Sequence, residues 1–155
     1  MAIEIERKFL VDHAKWNQVT KPAPRRIKQA YLSRDIHRTV RVRLIDNAAF
    51  LTVKGKNDGI SRQEFEFEIP VEDAEGLLKL CEGEVIDKER YQVSMGMLMW
   101  EVDVFYGENE GLIVAELELV SSDQTFSKPE WVGSEVSDDP RFYNVNLMQN
   151  PYSSW

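Results

Sequence analysis

The residues of this chain best suited to chemistry come as pairs two apart. Glu4 and Glu6 with Lys8 open it in EIERK. Arg41 and Arg43 follow in TVRVRL, Lys54 and Lys56 in LTVKGK, and Arg62, Glu64, Glu66 and Glu68 in SRQEFEFEI. Lys88 and Arg90 stand in DKERY, Glu101 and Asp103 in WEVDVF, and Glu116 and Glu118 in AELEL. Residues two apart on a strand point to one side of it, so each segment has a charged face. Ile5, Val42, Val53, Phe65, Phe67, Val102 and Leu117 form the apolar face behind. One such segment reads as an ordinary sheet face in water. The set reads differently, because whole strands carry one sign: cationic at 41–43, 54–56 and 88–90, anionic at 101–103 and 116–118. Arginine forks and lysine ammonium groups suit phosphate oxygens, and carboxylates are the hard oxygen donors that Mg²⁺ or Mn²⁺ prefers. A polyphosphate held together with a divalent cation satisfies both signs.

The elements that must position these side chains are mostly strands. Alternation predicts eight, near 2–11, 25–34, 38–46, 48–56, 61–69, 84–91, 97–106 and 112–121. Asp46-Asn47, Lys56-Asn57-Asp58-Gly59 and Gly107-Glu108-Asn109-Glu110-Gly111 punctuate them as turns, which makes neighbouring strands antiparallel. Three short helices are expected: 13–19 capped by Asp12; a second after Pro70, with Val71, Ala74, Leu77, Leu78 and Cys81 as its apolar stripe; and a third opening at Asp139-Pro140. Eight strands with few helices predict a closed antiparallel barrel with short helices packed outside. If the apolar faces meet the helices, the charged faces line the inside, and so many charges demand counter-charges, water and a charged guest.

Composition excludes several alternatives. The 155 residues suit one domain, and 43% hydrophobic with 30% charged residues fits a globular protein. A formal net charge of −8 argues against nucleic acid or an anionic membrane as partner. No apolar run has the length of a membrane span and no signal-type segment opens the chain, so a cytoplasmic location is expected. The one cysteine, Cys81, lies in LLKLC and reads as a packing residue, and His13 and His37 lack metal or triad spacing. Trp16, Trp100 and Trp131 sit in apolar patterns and are expected to pack rather than stack on a ligand.

EIERKFLV resembles the ExExK signature of the CYTH superfamily, the triphosphate tunnel metalloenzymes. VRVR, LTVKGK, the Arg62 to Glu66 stretch, KERY, WEVDVF and GLIVAELEL follow in the order of that family, and KPEWVGSEVSDDPRFYN is similar to its closing segment. The resemblance spans nearly the whole chain and implies a single tunnel domain over 1–155, an eight-stranded antiparallel barrel that processes triphosphate compounds with Mg²⁺ or Mn²⁺. Carried onto this sequence, it implies Glu4, Glu6, Glu116 and Glu118 as metal ligands. Lys8, Arg41, Arg43, Lys54, Lys56, Arg62, Lys88 and Arg90 are implied as the triphosphate-binding cations. Glu64, Glu66, Glu101 and Asp103 are expected to orient the lysines and arginines.

The expected reaction is metal-dependent hydrolysis of inorganic triphosphate to diphosphate and phosphate, by positioning and charge stabilisation. The base that takes the water proton is Glu4 or Glu6, or else Lys54 or Lys88. Class IV adenylyl cyclase and thiamine triphosphatase use the same chemistry and stand as alternatives. A noncatalytic polyphosphate-binding module shares the cationic strands but needs no acidic set. A lipocalin-like carrier needs an apolar lumen, against the alternation. The partner expected is a small triphosphate, with a homodimer left open.

Overall fold

Residues 3–155 are described by the computed structural model. Alternation becomes strand wherever it was expected: β1 (Ile3–Val11), β2 (Arg25–Asp35), β3 (Arg38–Ile45), β4 (Ala48–Gly55), β5 (Ser61–Ile69), β6 (Glu82–Met95), β7 (Leu98–Phe105) and β8 (Ile113–Glu118). The predicted start of the first strand at Ala2 lies outside the described residues. β6 runs further than the alternation indicated, and hairpins back through Gly96, whose φ of 62° suits the residue without a side chain. Asp46, at φ 50°, makes the tight turn between β3 and β4.

All pairings are antiparallel, in the order β5-β4-β3-β2-β6-β7-β8-β1, and β5 returns to β1 to close the barrel. A short ninth strand, β9 (Val132–Glu135), was not expected; its four residues VGSE carry no alternation to read. β5 and β9 share one edge of β1. Ile3, Glu4 and Ile5 pair with Gln63, Arg62 and Ser61, whereas Phe9 and Val11 pair with Glu135 and Val132.

Outside the barrel two apolar clusters hold the helices. α1 (His13–Trp16) is capped by Asp12, whose carboxylate accepts from the Lys15 amide at 3.0 Å. It is shorter than the predicted 13–19. Gln18 and Val19 donate to the carbonyls of Lys15 and Trp16 in the tighter i to i−3 pattern, and Lys21 Nζ takes the Trp16 and Val19 carbonyls, ending the helix. Trp16, Trp100 and Trp131 are all buried, in edge-to-face contact along a row with centroid spacings of 5.1 and 5.9 Å over the backs of β1, β7 and β8. α2 (Val71–Leu78) lays Ala74 against Val42 and Ala49, with Glu72 and Asp73 in its first turn. Cys81 is half-buried just beyond it.

The third helical segment does something else. A 3₁₀ turn, Pro140–Phe142, capped by Asp139, leads into α3 (Asn144–Leu147). Phe142, Leu147 and Met148 cluster with Tyr31, Ile86, Phe105, Leu112 and Val114, residues on the inner side of the strands. This segment therefore fills one end of the barrel. The tail beyond is docked: Trp155 packs edge-on against Phe142 and Tyr152, both at 5.1 Å.

Candidate active site

The inner face above that floor encloses a cavity of about 220 Å³. Six cations stand on its wall: Lys8, Arg41, Arg43, Lys54, Arg62 and Arg90. Seven carboxylates face them: Glu4, Glu6, Glu64, Glu66, Glu101, Glu116 and Glu118. Register explains the convergence. Glu6 lies opposite Glu118 and Lys8 opposite Glu116 across β1 and β8; Glu101 is opposite Glu116, Arg90 opposite Asp103, Lys54 opposite Glu64, and Glu4 opposite Arg62. Strands of one sign thus become walls of mixed sign.

Most charges are matched at once. Lys54 Nζ reaches both Glu4 oxygens at 3.2 Å and Glu64 at 3.0 Å, and Arg62 approaches Glu4 at 3.5 Å. Burial pushes Glu4 upward, but Lys54, a hydrogen bond shared with Glu64, and Arg62 outweigh it and bring its pKa down to about 2. Glu64 is raised, by burial first and then by Glu4. Arg41 meets Thr52 at 3.2 Å and Glu66 at 3.7 Å, while its Nε is buried without a partner. Arg90 is gripped through Nε and Nη2 by Asp103 at 2.7 and 2.9 Å, with Glu101 and Glu116 at 3.4 and 3.6 Å.

Three wall residues are left over. Among the described residues, Arg43 is the one buried cation of the wall with no carboxylate within ion-pair distance; its Nε donates to Gln29 at 2.9 Å. Burial, with Arg41 and Arg90 nearby, pulls its pKa down to about 9. Among the described residues Glu6 and Glu118 have no cation within ion-pair distance either, and they oppose each other across adjacent strands, an unfavourable pairing for like charges. Burial, then Glu116 and Glu4, pushes Glu6 up to about 8, and Glu118 is raised by burial and by Glu4, Glu64 and Glu101. Protonation or a bound cation relieves such a pair.

Two expected phosphate ligands stand apart from the wall. Lys56 is exposed, because β4 ends at Gly55 and the alternation that would turn it inward ends there too. Lys88 is fully buried beneath the cavity, donating to Asp103 at 2.7 Å and to Asn144 at 2.9 Å. Burial, with Arg90 and Arg43, draws its pKa down to about 7 against the pull of Asp103. Neither lysine lines the cavity. Asp103 is equally buried and held far below the usual carboxylate range by Arg90 and Lys88, which overcome its burial. Ser137, Tyr143, Asn144 and Val145 complete the wall from the C-terminal segment. No charge spacing marked them. Gln29, a lone polar residue between Ile27 and Tyr31 on the inner face of β2, carried a fainter signal.

The family model for the CYTH domain matches residues 2–143. The chain belongs to the CYTH domain family. This CYTH chain is 46% identical to an inorganic triphosphatase of Acetivibrio thermocellus, over 100% of its own length and 99% of the relative's. It is 37% identical to an inorganic triphosphatase of Nitrosomonas europaea, over 93% and 95%. The crystal structure of an inorganic triphosphatase matches its fold with a TM-score of 0.64 at 34% identity, covering 94% of this chain and 97% of that one. A putative adenylate cyclase from Bacillus halodurans, 15% identical over 78% and 83%, has the same fold with a TM-score of 0.60.

Proposed function

We propose that this CYTH protein hydrolyses inorganic triphosphate to diphosphate and phosphate inside the barrel. One observation carries the reading: among the described residues Arg43, a buried cation without a counter-ion, faces the same cavity as Glu6 and Glu118, two carboxylates without one. A polyanion serves the first and a divalent cation the second. The two full-length relatives named inorganic triphosphatase support the substrate.

The donor set fits a hard cation. Seven wall carboxylates against six wall cations leave no surplus positive charge for a triphosphate, so a divalent ion is needed to balance it. Among the described residues no group of three carboxylates is arranged to hold a metal by itself. Carboxylates are the hard oxygen donors that Mg²⁺ or Mn²⁺ would take. Glu6 and Glu118, with Glu4 and Glu116 beside them, are the residues that would hold it; when bound, it polarises phosphoryl oxygens and neutralises charge on the leaving group.

The chain's own groups do the rest. Arg43 and Arg41 grip phosphate oxygens, the unpartnered Arg41 Nε among their donors, and Lys8, Lys54 and Arg62 bring positive charge from the facing strands. Glu64 and Glu66 orient Lys54 and Arg41, and Glu101 and Asp103 orient Arg90. Lys88 is too deep to meet the attacking water, and Glu4 and Lys54 hold each other in an ion pair that Glu64 and Arg62 extend, so the water proton goes to Glu6 on the wall. In this reading residues 1–155 act as one domain, alone or as a homodimer, in the cytoplasm on a small substrate. Among the described residues no helix is long and apolar enough to cross a membrane.

Incubation with inorganic triphosphate, ATP or thiamine triphosphate, each with Mg²⁺, Mn²⁺ or chelator, tests the reading. Diphosphate and phosphate from inorganic triphosphate, lost with chelator, is the expected result. Cyclic AMP as the main product, or binding without turnover, overturns it.

A further inference from the structure

The C-terminal segment that fills the barrel also reaches into the ionic network above it, through Asn144. Its Oδ1 accepts from Lys88 Nζ at 2.9 Å and from Gln29 Nε2 at 3.2 Å. The other end of the Gln29 amide accepts from Arg43 Nε at 2.9 Å. Lys88 in turn donates to Asp103 at 2.7 Å, and Asp103 holds Arg90 through two hydrogen bonds. An unbroken relay, Arg43 to Gln29 to Asn144 to Lys88 to Asp103 to Arg90, therefore joins two guanidinium groups of the cavity wall, one on β3 and one on β6.

The relay has a direction. Arg43 can only donate, so Gln29 must turn its oxygen toward Arg43 and its NH₂ toward Asn144. Asn144 must then present its oxygen, and that same oxygen is what Lys88 requires. Gln29, Lys88 and Asp103 are fully buried, so each depends on its partners in the relay to satisfy its polar atoms. The same segment holds a third wall cation, since the Phe142 carbonyl accepts from Lys8 Nζ at 3.2 Å.

We infer that Asn144 is a positioning residue for triphosphate hydrolysis, aiming Arg43 through Gln29 and Arg90 through Lys88 and Asp103. The inference rests on the function proposed above. Misplacing charged groups by about an ångström costs on the order of 100-fold in rate, so the effect belongs in kinetics and not only in stability.

The test compares Asn144→Ala, Gln29→Met, the double variant and Leu147→Ala, which loosens the same segment without touching the relay. Steady-state kinetics with inorganic triphosphate and melting temperatures are measured for each. The expected result is a fall in kcat/KM of about 10- to 100-fold for Asn144→Ala and for Gln29→Met. The double variant is no worse than the poorer single one, because one relay can be broken once. Leu147→Ala lowers the melting temperature and keeps kcat/KM. An Asn144→Ala protein that melts lower yet keeps kcat/KM within about twofold of the parent, or singles whose losses multiply, overturns the inference. If the unaltered protein hydrolyses no triphosphate, the functional reading fails separately. Calorimetric binding of inorganic triphosphate then decides the role of Asn144: affinity weakened about 10-fold or more by Asn144→Ala sustains it, and unchanged affinity sinks it.

Discussion

Follow the inner face of β1, β7 or β8 along its strand and the chemistry changes partway. On β1, Glu4, Glu6 and Lys8 are followed by Leu10; on β7, Glu101 and Asp103 by Phe105; on β8, Glu118 and Glu116 are preceded by Val114. All lie on one side of the strand, yet one end is ionic and the other is hydrocarbon capped by Phe142 and Leu147. Alternation tells which way a side chain points. The position along the strand where polarity changes tells where the cavity stops. The ionic end is costly to maintain and is kept by cross-strand partners, while the apolar end is an ordinary core turned inward.

The largest expected difference separates the two ends by function. Replacing Glu116 and Glu118 together by alanine should lower kcat for inorganic triphosphate by at least about 1,000-fold, measured at saturating metal, while the barrel stays folded by circular dichroism. Phe105→Ala, one strand step below Asp103, should do the reverse. A loss of about 3–5 kcal/mol in denaturant unfolding is expected, with metal dependence intact. Should Phe105→Ala change the metal requirement instead, the boundary between the ends is drawn in the wrong place.

Smaller effects sharpen the ionic end. Arg43→Met removes a cation that no carboxylate among the described residues balances, so it should weaken triphosphate, raising KM by roughly 10- to 100-fold for a loss of about 1.5–3 kcal/mol, and should also lower the melting temperature, because the buried Gln29 oxygen loses its donor. A KM within about twofold of the parent would mean that Arg43 does not meet the substrate. The mildest effect is on pH. Glu6 has a folded pKa raised to about 8 from 4.5, so the folded state binds the extra proton between these values. Its contribution is complete below about 4.5 and is lost as pH rises through about 8. Metal-free protein should therefore melt lower at pH 7 than at pH 5, and Glu6→Gln should flatten that slope. Glu64 and Glu118 act in the same sense, and Lys88 opposes it only above about pH 7.

The sequence made the ionic end legible because its charges alternate over seven segments, and alternation survives folding. It also placed the tryptophans, whose apolar neighbours leave them no other use. The apolar end was harder to see. Leu10, Val114 and Phe105 obey the same parity as the charges, but nothing local distinguishes a residue facing a filled lumen from one facing a second layer. Asn144 was invisible for another reason: its partners Gln29 and Lys88 lie 115 and 56 residues away, and no spacing encodes a meeting of that kind. Lys56 shows a limit of reading alternation alone, since the strand that would turn it inward stops one residue earlier.

The shared edge of β1 bears on how the enclosure holds shut. Among the described residues three pairs join it to β5, and one of these, Glu4 with Arg62, also looks into the cavity, with Lys54 bridging from the next strand. This join in the wall is thus fastened by groups that face the lumen, so whatever occupies the lumen also bears on whether its own container stays zipped.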